Sequence, residues 1–234
     1  MKTLQDILYK VGIEGISGKP SVTVSSLSYD SRTVQQGGLY IAQKGTQLDG
    51  HDFISQAIEN GAHSIVCELL PEKCKEGIVY VVVKSAAQAM GVMASNFYDN
   101  PSEKMQLVGI TGTNGKTSIA SLLYNLFSQE GHRCGLVSTV SVKYGEKNIQ
   151  NTHTTPNAIT LNQYLKEMVD LGVSHCFMEV SSHGIAQHRI EGLVFAAGVF
   201  TNLTHDHLDY HGNFKNYRDT KKLFFDTLPK TAFA

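Results

Sequence analysis

Apolar runs of strand length alternate with amphipathic stretches of helix length along the whole chain. Short runs rich in β-branched residues are typical of buried parallel strands. They predict strands at 38–42, 63–67, 78–83, 106–110, 135–144, 173–180 and 194–201. Apolar residues spaced by three and four predict helices at 52–60, 85–98, 118–130, 158–171 and 214–228. This alternation predicts an α/β fold with a largely parallel sheet.

One polar segment, residues 99–104, interrupts the alternation near the middle of the chain. Its sequence, Asp-Asn-Pro-Ser-Glu-Lys, combines a proline with polar residues, which is typical of a linker. We therefore expect two domains, a small N-terminal α/β domain at 1–100 and a second domain at 101–234.

Composition and charge exclude several classes of protein. The net charge is −1, so the chain lacks the basic field that attracts nucleic acid or an anionic membrane surface. No apolar run approaches the ~18 residues of a membrane-spanning helix. An acid follows soon after the start and no apolar core comes after it, so we expect no signal peptide and a cytoplasmic protein. The four cysteines form no C-x-x-C pair and are expected to be reduced.

The loop Thr-Gly-Thr-Asn-Gly-Lys-Thr at 111–117 lies between a predicted strand and a predicted helix. Backbone N–H groups and the helix dipole favour a phosphate at such a turn. Lys116 would reach the β- and γ-phosphates of a nucleoside triphosphate, and the Thr117 hydroxyl would bind Mg²⁺. The usual spacing has glycine where this chain has Ile110. The alternative is a tight strand-to-helix turn without a ligand.

Seven of the ten histidines lie between His153 and His211, and three of them fall in the segment 204–211. This segment, Thr-His-Asp-His-Leu-Asp-Tyr-His, has three interpretations. A zinc hydrolase of the metallo-β-lactamase type would need histidine where the chain has Tyr210, and further ligands downstream. A polar surface loop is the second interpretation. We favour the third, a site for Mg²⁺ and substrate that faces the triphosphate.

Two charged residues stand where charge is unexpected. Glu179 lies near the carboxyl end of an apolar run, where open α/β sheets bind ligands, and its carboxylate suits a metal that bridges to phosphate. Its alternative role is to cap the next turn. Lys221 lies on the apolar stripe of the last helix, beside Tyr217 and Phe224. Burial would lower its pKa and make it reactive, and the alternative is that it snorkels to solvent.

Several motifs, taken in order, resemble those of the Mur ligase family. They are Asp30-Ser31-Arg32, residues 45–50, the loop 111–117, His153-Thr154-Thr155-Pro156, residues 179–184, Gln187-His188-Arg189, residues 202–212 and Tyr217-x-x-Thr220-Lys221. The resemblance covers essentially the whole chain. The loop is the family's own variant, which accounts for Ile110. Thr220 is a mild departure, because alanine usually precedes this lysine in the family.

The resemblance implies a UDP-substrate-binding domain at 1–100 and a truncated P-loop-type ATPase domain with a mostly parallel sheet at 101–234. It implies that ATP is bound by Gly112, Thr113, Asn114, Gly115, Lys116, Thr117 and Ser118. It implies substrate contacts from Tyr29, Ser31, Thr46, Gln47, Leu48, His153, Thr154, Thr155, Ser181, Gln187 and Arg189. The implied Mg²⁺ ligands are Thr117, Glu179, His207 and Lys221 as a carbamate. The implied catalytic residues are Lys116, Lys221, Glu179 and His207.

The activity that the resemblance implies is ATP-dependent amide formation in peptidoglycan precursor synthesis. ATP phosphorylates the D-Glu carboxylate of UDP-MurNAc-L-Ala-D-Glu, and the amine of a diamino acid then displaces phosphate. Lys116 and two Mg²⁺ ions would stabilise the charge on the transferring group. The diamino acid is meso-diaminopimelate or L-lysine. We expect a monomer without nucleic-acid or membrane partners.

Members of the family continue past the position of Ala234, through the rest of the ATPase domain and an amino-acid-binding C-terminal domain. We therefore expect this chain to be a fragment that does not complete ligation alone. One alternative is a sister ligase, such as the enzyme that adds D-Ala-D-Ala or a folylpolyglutamate synthase, which the uridine-site and His-Thr-Thr-Pro motifs disfavour. The other is a non-catalytic nucleotide-binding module, which the intact Lys116, Glu179 and Lys221 disfavour for the parent protein.

Overall fold

The computed structural model describes residues 2–45, 48–151 and 153–234. The predicted site residues Thr46 and Gln47 lie outside the described residues. The chain divides into two compact units, Met1–Phe97 and Tyr98–Ala234. Among the described residues, no helix is long and apolar enough to cross a membrane.

Unit 1 is built on a five-stranded sheet with the order β2-β7-β6-β5-β4. Strands β4 to β7 run parallel, β2 pairs antiparallel with β7, and β1 and β3 form a separate antiparallel pair. The strands are β1 (Lys2–Thr3), β2 (Ile13–Ser17), β3 (Thr23–Val24), β4 (Leu27–Ser28), β5 (Gly38–Ile41), β6 (Ala62–Cys67) and β7 (Val79–Val83). The helices are α1 (Leu4–Ile7), α2 (Ile54–Glu59) and α3 (Ala86–Phe97), with 3-10 turns at Ser31–Thr33 and Gly50–Phe53.

The core of unit 1 forms where apolar strand positions meet α2. Tyr40, Ile65 and Tyr80 come from three neighbouring strands and are buried against Ile54 and Ala57 of the helix. Cys67 lies in the same cluster as a free thiol, as expected for a small apolar side chain. The burial of these strands explains why they appear in the sequence as continuous apolar runs.

Unit 2 contains a six-stranded sheet with the order β11-β10-β9-β12-β8-β13. The four strands β9, β12, β8 and β13 are parallel, and β10 and β11 form an antiparallel hairpin at one edge. The strands are β8 (Gln106–Thr111), β9 (Cys134–Val137), β10 (Ser141–Tyr144), β11 (Lys147–Gln150), β12 (His175–Glu179) and β13 (Ala197–Phe200). The predicted α/β class with mostly parallel sheets is confirmed in both units.

Helices cover both faces of this sheet. The helices are α4 (Lys116–Gln129), α5 (Ala158–Asp170), α6 (Ser182–Ala186), α7 (Leu208–His211) and α8 (Phe214–Asp226), with a 3-10 turn at Pro101–Lys104. Helix α4 packs on one face against Ile110 and Phe177, and residues of α5 and α8 pack on the other face against Met178. Asn157 and Asn213 cap α5 and α8 through their side chains.

The prediction of one strand at 135–144 was wrong. The chain instead forms β9 and β10, which pair antiparallel around a turn at 138–140. The turn is closed by Ser138, whose hydroxyl donates to Ser141 O at 2.9 Å and accepts from Ser141 N at 3.1 Å. A serine bonding the backbone in this way offers an alternative to continuing the strand.

Candidate active site

The phosphate loop follows β8 at the carboxyl edge of the parallel strands. Two glycines bracket its turn, Gly112 with φ +146° and Gly115 with φ +85°, and α4 begins directly after Gly115. A Cβ on Gly112 would lie 1.9 Å from Thr201 Oγ1, so the backbone can pass there only as glycine. Ile110 is fully buried within β8, before the chain turns into the loop. The glycine of the usual spacing is therefore not needed at this position.

The segment after β13 holds the loop in place. Thr113 N donates to Asn202 O at 2.9 Å, and Asn114 N donates to Asn202 Oδ1 at 3.0 Å. Asn202 Nδ2 and Thr201 Oγ1 both donate to Asn114 O, at 3.0 and 2.7 Å. Thr204 N donates to Thr113 Oγ1 at 3.0 Å. Five hydrogen bonds from this one segment therefore fix the loop, as preorganised binding of an anion requires.

Two lysines converge on the loop backbone. Lys116 Nζ donates to Gly112 O at 2.9 Å and to Thr113 O at 2.8 Å, and Lys221 Nζ donates to the same Gly112 O at 2.9 Å. Lys221 is only 3% exposed, so it does not snorkel, and its Nζ lies 4.7 Å from the centre of the Tyr217 ring. Burial, with a smaller contribution from Lys116, lowers the pKa of Lys221 to about 8. Burial also lowers the pKa of Lys116, against the opposing charges of Glu179 and Asp206.

Glu179 ends β12 with its carboxylate aimed at the loop. The residue is 1% exposed and accepts a hydrogen bond from Thr117 Oγ1 at 2.8 Å on Oε1. Thr139 N donates to the same oxygen at 2.7 Å, and Thr139 Oγ1 lies 3.1 Å from Oε2. Ser181, whose hydroxyl accepts from Gly184 N, caps the next helix. Glu179 therefore does not take the capping role considered as its alternative.

In the histidine-rich segment, six of the eight residues 204–211 are exposed, His207 among them, while Asp206 is half-buried and His211 is buried. His207 has a left-handed backbone conformation with φ +52°. Its ring centre lies 4.9 Å from that of His183 and 6.1 Å from that of Tyr217. His211 is buried 5.3 Å from the Tyr217 ring, and burial lowers its pKa and that of His183. The segment is therefore a mostly exposed loop that contacts α6 and α8 through the rings of His207 and His211.

The segment predicted to hold substrate is anchored beside Glu179. Thr155 is fully buried, and its Oγ1 donates to Glu179 O at 3.0 Å and lies 3.1 Å from Ser181 Oγ. Arg189 donates to Thr155 O at 2.6 Å and to Gln187 Oε1 at 2.7 Å. These four predicted substrate residues thus form one connected group.

The other two predicted residues of this segment border the group. Thr154 Oγ1 lies 3.1 Å from Thr139 Oγ1, and His153 is exposed. The predicted substrate residues of unit 2 therefore extend from the buried edge of β12 to the surface.

Unit 1 carries the remaining predicted substrate residues. Tyr29 is 46% exposed and Leu48 is 68% exposed, so both can contact a ligand. Ser31 is buried, and its hydroxyl donates to Gln56 Oε1 at 2.6 Å. Ser31 O also accepts from Asn60 Nδ2 at 2.9 Å, so this residue is bonded on two sides to α2 and its end.

Both halves of the chain match sequence profiles of one family. Residues 110–234 match the Mur ligase middle domain, and residues 23–98 match the Mur ligase family catalytic domain. The chain belongs to the Mur ligase family. The loop 111–117, Glu179, His207 and Lys221 all lie within the match to the middle domain.

Curated Mur ligases resemble the chain over nearly its whole length. A UDP-N-acetylmuramoyl-L-alanyl-D-glutamate--2,6-diaminopimelate ligase of Cytophaga hutchinsonii is 51% identical over 99% of the chain and 48% of its own length. The ligase of the same name from Phocaeicola vulgatus is also 51% identical, with the same coverage. A solved structure of such a ligase superposes with a TM-score of 0.79 at 27% identity, over 97% of this chain and 46% of that one. The chain thus spans about half the length of the curated relatives it matches.

The Thr117 hydroxyl and the Glu179 carboxylate suit a cation that is also coordinated by a bound phosphate and water. Within 2–45, 48–151 and 153–234, no three His, Cys, Asp or Glu side chains are grouped closely enough to hold a metal ion. Thr117 and Glu179 place a hydroxyl and a carboxylate 2.8 Å apart, and oxygen groups of this kind suit Mg²⁺ in sites where phosphate and water complete the coordination. Three of the six buried side-chain atoms without a hydrogen-bond partner in the described residues lie beside this site: Thr111 Oγ1, Ser182 Oγ and His211 Nε2.

The structure adds residues to the site for which the sequence analysis gave no individual role. Thr139 contacts the Glu179 carboxylate, Thr201 and Asn202 hold the phosphate loop, and His183 packs against His207. A signal for Thr139 existed, because it follows an apolar run at the carboxyl edge of the sheet. The wrong prediction of a single strand at 135–144 placed it inside that strand instead.

Proposed function

We propose that this chain is the part of an ATP-dependent amide ligase that binds UDP-MurNAc-L-Ala-D-Glu and the phosphates of ATP. The observation that carries the proposal is the hydrogen bond of 2.8 Å between Thr117 of the phosphate loop and the buried Glu179. It brings together the two oxygen ligands of a phosphate-bound cation at the carboxyl edge of a parallel sheet. Identity of 51% to relatives named for this ligation supports the substrate assignment.

The phosphate loop is proposed to bind ATP through its backbone N–H groups. Its residues are Gly112, Thr113, Asn114, Gly115, Lys116, Thr117 and Ser118. Thr117 and Glu179 would hold Mg²⁺, with His207 as a further ligand. Bound Mg²⁺ would neutralise charge on the transferring phosphoryl group. Lys116, which here donates to loop carbonyls, would turn its ammonium to the phosphates.

Lys221 is proposed to react with CO₂. The buried amine has a pKa near 8, so a substantial fraction is neutral and nucleophilic at mildly alkaline pH. Its nitrogen attacks CO₂, an N–C bond forms, and a proton leaves to solvent. The resulting carbamate is an anion that can bind a cation where the ammonium cannot.

Carbon-13 NMR in ¹³C-bicarbonate tests this modification. A carbamate resonance is expected from the unchanged chain and from Lys222→Arg, whose lysine is exposed and paired with Asp226. The resonance should be absent from Lys221→Arg. Its persistence in Lys221→Arg, or its absence from the unchanged chain, would contradict the proposal.

Substrate-binding residues are proposed in each unit separately. In unit 1, Tyr29, Ser31 and Leu48 are assigned to the uridine nucleotide, together with Thr46 and Gln47. In unit 2, the connected group of Thr155, Ser181, Gln187 and Arg189 is assigned to the muramyl-dipeptide, together with the bordering residues His153 and Thr154. The guanidinium of Arg189 supplies the positive charge that a D-Glu carboxylate needs.

The reaction proposed for the whole protein uses ATP, the D-Glu carboxylate of the uridine substrate and a diamino acid. The D-Glu carboxylate attacks the γ-phosphorus of ATP, ADP leaves, and an acyl phosphate forms. The amine of a diamino acid then attacks the acyl carbon, phosphate leaves, and the amine loses a proton as the amide forms. The names of the relatives favour 2,6-diaminopimelate as that diamino acid. Because the proposed reaction consumes ATP, we also propose that it takes place in the cytoplasm.

Calorimetric titrations of the 234-residue chain test this function. We expect heat of binding with Mg·ATP and, in a separate titration, with UDP-MurNAc-L-Ala-D-Glu. UDP-N-acetylglucosamine serves as the matched control, because it keeps the uridine diphosphate and lacks the muramyl-dipeptide. Binding of Mg·ATP alone would reduce the chain to a nucleotide-binding module and would contradict the ligase assignment.

A further inference from the structure

Thr139 lies on the turn between β9 and β10 and touches two parts of the site. Its backbone N donates to Glu179 Oε1 at 2.7 Å. Its hydroxyl oxygen lies 3.1 Å from Glu179 Oε2 and also 3.1 Å from Thr154 Oγ1. One hydroxyl thus stands between the proposed cation ligand and the proposed substrate segment.

The hydroxyl of Thr139 carries a single proton for these two acceptors. A carboxylate is the stronger acceptor, so the proton is drawn to Glu179 when the carboxylate is uncompensated. A cation on Glu179 withdraws charge from its oxygens and weakens that hydrogen bond. The proton can then be donated to Thr154.

The surroundings of Thr154 allow it to respond to this change. Its neighbour Thr155 is fully buried and is fixed to Glu179 O at 3.0 Å. Thr154 is only partly buried, and its hydroxyl lies next to Thr139. The backbone of the segment is therefore anchored one residue away, while the hydroxyl of Thr154 can be oriented by its partner.

The turn is held without the Thr139 hydroxyl. Ser138 and Ser141 bond each other through the Ser138 hydroxyl at 2.9 and 3.1 Å. Asn151 Nδ2 also donates to Ser138 O at 2.7 Å. Removing the hydroxyl of Thr139 is therefore expected to leave the turn folded.

We propose that Thr139 is a positioning residue that couples the cation site at Glu179 to the substrate segment at Thr154. The proposal rests on the function assigned above. Binding of the cation with its nucleotide frees the Thr139 hydroxyl for Thr154, and this orients Thr154 for the muramyl-dipeptide. Because coupling is reciprocal, the uridine substrate also strengthens binding of the nucleotide with its cation.

Calorimetry on the full chain measures the coupling. The dissociation constant of UDP-MurNAc-L-Ala-D-Glu is determined with and without saturating Mg²⁺ and a non-hydrolysable ATP analogue. The ratio of the two constants is the coupling factor, which we expect to be about fivefold or more in the unchanged chain. Thr139→Val should bring it close to one, and Thr139→Ser should restore most of it. Thr23→Val, an exposed threonine of unit 1, is the matched control and should leave it unchanged.

The outcomes separate the two proposals. If the unchanged chain binds neither ligand, the proposed function fails. The coupling role fails if both ligands bind and the factor is one in the unchanged chain, or if Thr139→Val keeps the full factor. It also fails if Thr139→Ser loses the factor as completely as Thr139→Val, because the hydroxyl is then not responsible.

Discussion

Lys116 and Lys221 donate to the same acceptor, the carbonyl oxygen of Gly112, each at 2.9 Å. They come from the first turn of α4 and the middle of α8, 105 positions apart in the sequence. Two cations that share one neutral acceptor favour an anion near them, and the pKa of each is lowered, chiefly by burial. The pair therefore prepares the phosphate loop for a ligand with several negative charges.

Replacing Lys116 by methionine should weaken ATP binding. Methionine keeps much of the length and apolar contact of the side chain but removes the charge for the phosphates. We expect at least a tenfold loss in affinity for Mg·ATP, about 1.4 kcal/mol or more, measured by calorimetry. UDP-MurNAc-L-Ala-D-Glu should bind as before.

Lys215→Met is the matched control for this variant. Lys215 is an exposed lysine on α8, so the substitution removes the same charge away from the loop. Equal losses of ATP affinity in the two variants would show that net charge, and not the position of Lys116, determines binding.

Replacing Lys221 by methionine should make stability less dependent on pH. The pKa of Lys221 is about 8 in the folded chain, against about 10.4 in an unfolded chain, so the unfolded state binds more protons between these values. The free energy cost of burying the charged Lys221 is therefore fully present below pH 8. This cost decreases as pH rises towards 10. Lys221→Met should be more stable than the unchanged chain by about 3 kcal/mol at pH 7, with a difference below about 1 kcal/mol at pH 10.

Urea unfolding in bicarbonate-free buffer measures this difference. Lys222→Met provides the control, because Lys222 is exposed and paired with Asp226. A stability difference between Lys221→Met and the unchanged chain that is the same at both pH values would contradict the low pKa.

Replacing Gly112 by alanine should disrupt the phosphate loop. The added Cβ would lie 1.9 Å from Thr201 Oγ1 and 3.0 Å from backbone atoms of Asn202, at φ +146°. We expect a loss of about 2 kcal/mol or more in unfolding free energy, with loss of ATP binding. Gly115→Ala, where φ is +85° and no atom lies within 4 Å of the added Cβ, should cost about 1 kcal/mol. Equal costs would mean that the contact with Thr201 is unimportant.

The fold was largely predictable because both sheets have buried parallel strands. Such strands appear as continuous apolar runs, and the helices between them have apolar residues spaced by three and four; three of them, α2, α4 and α5, end just before a glycine. The region 134–150 was not predictable in this way. Ser138 closes a turn through its own side chain, so an apolar run that continues past it looks like one strand. The edge strand β11 is mostly exposed and lacks the apolar signal.

The burial of two candidate site residues was predictable, because each contradicted its local pattern. Lys221 on an apolar stripe and Glu179 at the end of an apolar run are both buried in the structure. Thr139 gave no such contradiction, since a threonine suits a strand as well as a turn. Its one local signal was its position after an apolar run, and its contacts with Glu179 and Thr154, 40 and 15 positions away, are not encoded in that run.

The affinity of the chain for UDP-MurNAc-L-Ala-D-Glu, compared with UDP-MurNAc-L-Ala, tests the central claim most directly. The two ligands differ only in the D-Glu residue, whose carboxylate the proposed reaction activates. We predict binding of the first ligand and at least tenfold weaker binding of the second, because the second lacks the carboxylate assigned to the group around Arg189. Equal affinity for both, or binding of neither by the folded chain, would contradict the assignment.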